Sequence, residues 1–142
     1  SDKALQFGSP CEGTMSEEEQ SLEGSLLLYL ASKHQDRGDI DEAERVLEEA
    51  IRTDPDRPDG YIAWATIRVE RDDVRGALKL FEMLTKRLAD FAPGWLFRAQ
   101  MEEALERKGA ALSSIRQAEA LNPDPELRAL AFEVRGRLSE IK

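Results

Sequence analysis

The sequence contains few of the residues on which catalytic and metal sites depend. It has a single cysteine, Cys11, and a single histidine, His34, in 142 residues. One cysteine excludes an internal disulfide, and neither residue has a partner at a spacing suited to a metal site or an activated nucleophile. Glycine-rich phosphate loops and HExxH or CxxC motifs do not occur. We therefore expect no enzymatic activity, no metal and no cofactor.

Long apolar stretches are missing too. The longest run, Leu26 to Ala31, has six residues, whereas a membrane span needs about 18. The first residues do not form a basic segment followed by an apolar one, so the sequence as it stands shows no signal peptide. These features predict a cytoplasmic protein without a membrane-spanning segment. The alternative that a leader has been removed from the chain stays open.

Charge and composition favour a soluble helical protein. The net charge of −9 repels phosphate backbones and anionic lipids, so neither nucleic acid nor a membrane is an expected partner and a basic protein is favoured. Hydrophobic residues make up 41% of the chain, enough for a core. Alanine, leucine, glutamate and arginine, which are strong helix formers, dominate, and β-branched residues are few. We predict one all-α domain.

A period of 34 residues runs through the chain. Two alanine series keep it: Ala31, Ala65 and Ala99, then Ala43, Ala77 and Ala111. Two series of large residues keep the same register: Leu27, Tyr61 and Trp95, then Leu47, Phe81 and Ile115. Because no insertion interrupts them, the chain contains three consecutive copies of one structural unit.

Each copy has the spacing of two helices joined by a polar turn. Apolar residues recur three and four positions apart in both halves of the copy, which is the helical period. The turns are predicted at Arg37-Gly38-Asp39, Arg71-Asp72-Asp73 and Arg107-Lys108-Gly109. Asp39 with Glu42 predicts a capping box that starts a second helix, and Pro125 suits a first helical position. The copies span about 24–57, 58–91 and 92–124.

This pattern resembles the tetratricopeptide repeat, a 34-residue helix–turn–helix. A large residue is followed four positions later by a small one, and the second helix carries alanine, a large residue and alanine before Asp-Pro. The match is closest in the first copy, which keeps Gly38, Asp39, Ala50 and Pro55. The resemblance implies an α-solenoid of three antiparallel helix pairs that binds other proteins.

Several positions depart from the family pattern. Asp72 replaces the turn glycine of the second copy, and Arg98 stands where an apolar residue is usual. At a position where the family often has tyrosine, the three copies have His34, Arg68 and Glu102.

The half-a-tetratricopeptide repeat of RNA-processing scaffolds is a second resemblance. Trp95, Ala99 and Glu102 fit its pattern. The arginine expected beside the second-helix alanine is absent, however, because Glu44, Leu78 and Leu112 occupy that place. A scaffold fragment of that kind therefore stays an alternative.

The two ends of the chain have different sequence patterns. Residues 1–15 have no period and form a predicted tail, either an expression leader or a natural segment whose Leu5 and Phe7 occupy a groove. A domain over 16–142 follows, with a capping box at Ser16 and Glu19. Residues 125–141 predict a capping helix with one apolar side, formed by Leu127, Leu130, Ala131, Val134 and Leu138.

A partner surface is predicted on the concave face, which the first helix of each pair would line. The residues one and five positions beyond each large anchor, with those of the next turn, are Leu28, Ser32, Gln35 and Asp36, then Ile62, Thr66, Val69 and Glu70, then Leu96, Gln100, Glu103 and Ala104. They combine apolar anchors with an acidic border, and Glu102 with Glu103 is the acidic pair that could face a ligand. None of the twelve residues of the predicted surface is lysine, asparagine or arginine. Their absence argues against the carboxylate clamp that chaperone-tail binders of this family use.

The predicted partner is therefore a peptide or helix with apolar anchors and basic flanks. The protein would act as an adaptor or chaperone-like module. The alternative is a self-assembling structural protein, a homo-oligomer in which the groove or the N-terminal tail joins neighbouring copies.

Overall fold

The structure, a computed structural model, describes residues 15–140, which form seven α-helices and no β-strand. The predicted tail, with Leu5, Phe7 and Cys11, lies outside the described residues. The chain divides into two compact units, Ser1–Asp54 and Pro55–Lys142. Unit 1 contains α1 (Glu17–Asp36) and α2 (Ile40–Thr53), and unit 2 contains α3 (Pro58–Glu70), α4 (Val74–Arg87), α5 (Ala92–Ala104), α6 (Lys108–Ala120) and α7 (Pro125–Leu138). In the described part of the chain, no helix is both long and apolar enough to span a bilayer.

The helix boundaries follow the sequence period. The second helices α2, α4 and α6 begin at Ile40, Val74 and Lys108, which are 34 residues apart. The first helices α3 and α5 begin at Pro58 and Ala92, with the same spacing. Helix α1 is longer and begins at Glu17, two turns ahead of that register.

The turn between the two helices of each pair has one backbone conformation. Gly38, Asp72 and Glu106 all have positive φ, of 83°, 65° and 58°. The second turn keeps the left-handed residue although aspartate replaces glycine. The third turn was predicted at Arg107-Lys108-Gly109, and this is wrong, because Lys108 and Gly109 belong to α6. Gly109 suggested a turn at the wrong place. The 34-residue period that links Gly38 and Asp72 places Glu106 at the turn.

Helix starts were predicted with mixed success. The capping box at Ser16 and Glu19 is confirmed, since each side chain accepts a hydrogen bond from the backbone N–H of the other residue. The box at Asp39 is wrong: Asp39 makes no side-chain capping bond. Its expected partner Glu42 instead forms an ion pair with Arg45 one turn later. Pro125 does open α7, with Asp124 as the capping residue.

In unit 1, α1 packs on α2. The buried apolar residues of these two helices include small side chains, which let helices approach closely; they are Leu27, Ala31, Ala43, Val46, Leu47, Ala50 and Ile51.

In unit 2, the large anchor residues are fixed by a repeated hydrogen bond. The Tyr61 hydroxyl donates to the carbonyl oxygen of Pro55 at 2.9 Å. One period later, Trp95 Nε1 donates to the carbonyl oxygen of Ala89 at 2.8 Å. Tyr61 is buried and Trp95 is half-buried, and a polar ring edge that is taken out of water needs such an acceptor. The bond ties each first helix to the turn that precedes it.

Helix α7 covers the last helix pair. Its buried Ala131, Val134 and Leu138 join one cluster with Leu96, Ala99, Ala111 and Ile115, while Leu127 and Leu130 pack at the edge. The predicted apolar side of this helix is thus confirmed. Two ion pairs reinforce the contact: Arg137 with Glu103 and Arg135 with Glu119. The opposite side of α7 carries Phe132, which is exposed by 74%.

Candidate functional site

A pocket in unit 2 lies between α3 and α5. Its volume is about 150 Å³, and α4 closes its floor; the lining residues are Ala65, Thr66, Val69, Phe81, Phe97, Gln100 and Met101. Three of them, Thr66, Val69 and Gln100, belong to the predicted partner surface. The structure therefore brings together predicted residues from two consecutive repeats.

The floor of the pocket is aromatic. The ring centroids of Phe81 and Phe97 lie 5.5 Å apart, with their planes tilted by 41°. Thr66 at the rim donates its hydroxyl proton to the carbonyl oxygen of Ile62, 2.8 Å away, and so offers a ligand only acceptor lone pairs. Gln100 supplies an amide donor and acceptor. The pocket is thus an apolar recess with few polar groups at its mouth.

Sequence reasoning missed Phe97 and Met101, which α5 contributes to the pocket. The prediction took the same positions from every first helix. Two neighbouring helices, however, face each other with opposite flanks, so the residues that line the space between them differ in register. An available signal was the apolar pair Phe97 and Met101, four residues apart on a helix whose core positions are already occupied by Ala99 and Leu96.

Leu96 was predicted as an accessible apolar anchor, and this is wrong. Its side chain is fully buried in the cluster between α5, α6 and α7. The residue after the anchor lies on the flank that faces the next helix, and α7 occupies that side. Ile62, at the same register in α3, is half-buried.

The two members of the predicted acidic pair, Glu102 and Glu103, have different surroundings. Glu102 is only 2% exposed and cannot face a partner. Glu103 is bound by Arg137 of α7, whose Nε lies 2.7 Å from Glu103 Oε2. This hydrogen bond raises the pKa of the Arg137 guanidinium above its ordinary value. The predicted acidic border is therefore neutralised at Glu103, while Glu70 at the end of α3 is exposed.

Glu102 is instead part of a buried polar network. Ser114 Oγ donates to Glu102 Oε1 at 2.6 Å, and Arg98 Nε donates to Glu102 Oε2 at 3.2 Å. Arg98 Nη1 also donates to Thr85 Oγ1 of α4 at 3.1 Å. The two departures from the family pattern in the third repeat thus satisfy each other.

The four predicted residues of unit 1 lie on α1. Leu28 and Gln35 are half-buried, and Ser32 and Asp36 are exposed. Their role in partner binding stays a prediction. Among the described residues, no group of three histidine, aspartate or glutamate side chains is arranged to hold a metal ion.

Comparison with known proteins decides the family. Residues 34–101 match the family model of the tetratricopeptide repeat. Residues 34–101 are thereby assigned to the tetratricopeptide repeat family. No curated protein matches the sequence.

Solved structures share the tetratricopeptide fold at low identity. The Yersinia enterocolitica type III secretion chaperone SycD, in complex with a peptide of the translocator YopD, is 16% identical with a TM-score of 0.69, over 92% of this chain and 96% of that one. PcrH from Pseudomonas aeruginosa is 18% identical with a TM-score of 0.66, over 89% and 94%. The first tetratricopeptide domain of Spaghetti, bound to the HSP90 peptide SRMEEVD, is 16% identical with a TM-score of 0.65, over 84% and 96%. The predicted all-α solenoid class is confirmed.

Proposed function

We propose that the chain is a non-enzymatic interaction module that holds a peptide or helix of another protein against α3 and α5 of unit 2. The observation that carries the proposal is the apolar pocket between these helices. A cavity of about 150 Å³ accommodates a benzene-sized group. One branched or aromatic side chain of a partner therefore fills it, while Thr66 and Gln100 bond to the partner's backbone.

The relatives support a peptide ligand. SycD and Spaghetti were each solved with a peptide, and PcrH was solved with the chaperone binding region of PopD. The Spaghetti peptide ends in an acidic segment. The pocket lining here contains no lysine, asparagine or arginine that could clamp a carboxylate. We therefore infer a ligand closer to an apolar segment than to an acidic chain end.

Charge supports basic flanks on that ligand. The protein carries a net charge of −9, and the exposed Glu70 is the next residue in the chain after Val69, which lines the pocket. A positively charged flank beside the apolar anchor is attracted by both the local carboxylate and the overall field. The cytoplasmic location and the adaptor or chaperone-like role belong to the same proposal.

The test is a peptide-display selection against the intact protein and two variants. Thr66→Arg extends a long cation over the pocket from an exposed position, so it blocks the recess without changing the core. We expect at least a tenfold loss of affinity for the selected peptides. Ser113→Arg places the same side chain on an exposed site of α6, outside the pocket, and binding should be unchanged.

Two outcomes of this selection contradict the proposal. One is equal binding of selected peptides to the wild type and Thr66→Arg, which would put the site elsewhere. The other is enrichment of acidic or C-terminal carboxylate motifs rather than an apolar residue between lysines or arginines.

A further inference from the structure

Helix α1 has two apolar faces. One face, with Gly24, Leu27 and Ala31, is buried in unit 1. The helical period of 3.6 residues places another set of apolar side chains on the opposite side of the helix. They are Leu22, Leu26, Tyr29 and Leu30, exposed by 63%, 57%, 63% and 42%. Single exposed apolar residues are ordinary, but four on one helix face form a contiguous patch.

Unit 2 shows what this face does elsewhere in the repeat. Two periods after Leu26, Tyr29 and Leu30 come Gly94, Phe97 and Arg98 of α5. All three contact α4, the second helix of the preceding repeat: a Cβ on Gly94 would lie 3.3 Å from Leu84, Phe97 contacts the ring of Phe81, and Arg98 bonds to Thr85. The face therefore has the register at which a first helix packs on a preceding helix. Among the described residues no helix precedes α1.

The charges of α1 indicate which helix fits there. Its first turn carries Glu17, Glu18 and Glu19, and its last turn carries Lys33, whose Nζ lies 5.2 Å from the ring centroid of Tyr29. A helix with an acidic start, an apolar middle and a basic end is complementary to an antiparallel copy of itself. We propose that this end face, Leu22 to Leu30 on α1, joins two copies of the chain in a symmetric dimer with antiparallel α1 helices.

The spacing of the apolar residues along α1 fixes where the two-fold axis crosses the helix. With Leu26 facing Leu26 of the second copy, Leu22 faces Leu30, and Glu19 faces Lys33. The paired residues run from Glu19 to Lys33 of α1, so the contact is about 21 Å long. One helix pair buries less surface than the interfaces of permanent dimers, so the association should be reversible at about micromolar concentrations.

The first test is the mass in solution. Sedimentation velocity of the full chain from about 1 to 200 µM should show a monomer–dimer equilibrium in this weak-affinity range. Leu26→Glu puts two carboxylates on the axis and should shift the midpoint upward at least tenfold. Phe132→Glu changes an exposed apolar residue on α7 in the same way and should leave the equilibrium unchanged. Circular dichroism checks that both variants keep their helices.

A second test fixes the geometry. In a Cys11→Ser background, Leu22→Cys and Leu30→Cys proteins are mixed in equal amounts and oxidised, and the mixed 22–30 disulfide should clearly exceed the roughly one half of the product that random pairing gives. Predominant 22–22 and 30–30 products would overturn the antiparallel arrangement. A wild type that is monomeric throughout overturns the dimer, and so does a dimer that Leu26→Glu leaves intact. If only deletion of residues 1–14 allows dimerisation, the tail is the occupant and the proposal fails.

Discussion

Arg98 and Glu102 form a charge pair in the third repeat, where the first two repeats have Leu30 and Trp64 at the first position and His34 and Arg68 at the second. Glu102 is 2% exposed and receives hydrogen bonds from both Arg98 and Ser114. Burial of two charges costs more than their attraction returns unless the remaining hydrogen bonds are also made. Removal of one member leaves the other charge unpaired, which is the larger penalty.

We predict that Glu102→Leu lowers the free energy of unfolding by about 3 kcal/mol. The double variant Arg98→Leu with Glu102→Leu should recover most of that loss, because no buried charge then lacks a partner. Urea denaturation of the wild type, both single variants and the double variant gives the coupling energy. Additive effects of the two substitutions would show that the pair does not act as a unit.

Asp73 makes the stability of unit 2 depend on pH. Its carboxylate caps α4, and the hydrogen bond from the Gly76 N–H, followed by that from Arg68, holds the pKa of Asp73 below its ordinary value. An unfolded aspartate has a pKa of about 3.9, so the ionised group stabilises the fold above about pH 4. That contribution is lost as the pH falls through the lower folded-state pKa.

Asp73→Asn keeps a capping side chain and removes the charge. We expect its melting temperature to lie below that of the wild type at pH 7. The difference should shrink as the pH is lowered from about 4 and vanish once the wild-type carboxyl is protonated. Thermal scans between pH 2 and pH 7 measure it, and a difference that is constant over this range would contradict the prediction.

At the scale of the helices, the period predicted more than the local signals did. The alanine and large-residue series give the helix pairs because they record which side chains pack together. Local capping and turn signals failed at Asp39 and at Gly109, where a short polar pattern has other ways to satisfy its hydrogen bonds. The left-handed backbone conformation recurs every 34 residues, at Gly38, Asp72 and Glu106, although only the first of these is glycine.

Glu106 is therefore a strained residue in a position suited to glycine. A left-handed conformation costs an L-residue with a side chain about 1–2 kcal/mol, which glycine avoids at some cost in unfolded-state entropy. Glu106→Gly should raise the free energy of unfolding by about 0.5–1 kcal/mol. Gly38→Ala, the reverse change in the first turn, should lower it by about 1 kcal/mol. Chemical denaturation checks both, and a destabilised Glu106→Gly protein would contradict the strain.

At the scale of the molecule, the partner surface was only half predictable. Thr66, Val69 and Gln100 could be found from register, since they follow the large anchors by fixed steps. Phe97 and Met101 carried a sequence signal, their apolar spacing of four residues, but the burial of Leu96 could not be predicted, because it depends on which flank of α5 the neighbouring helices cover. That information lies in the packing of α7 and α3 against α5, and a one-dimensional period does not contain it.

Helix α7 closes the C-terminal end of unit 2, and its apolar side should carry much of the stability there. Leu138→Ala removes a fully buried side chain and should cost about 3 kcal/mol. Phe132→Ala, on the exposed side of the same helix, should change stability by less than about 0.5 kcal/mol. Hydrogen exchange of α5 and α6 should rise only in the Leu138 variant. Equal effects of the two substitutions would mean that α7 does not act as a cap.

The bond from Arg98 to Thr85 also limits how the gene for such a chain can change. Arg98 belongs to the third repeat and Thr85 to the second. Identical units would tolerate duplication, deletion or exchange of whole repeats. Here a rearrangement that separates the third repeat from the second leaves the half-buried guanidinium of Arg98 without its acceptor Thr85. The third repeat is therefore specific to its place in the chain, and shuffling should be tolerated only where this junction is inherited intact.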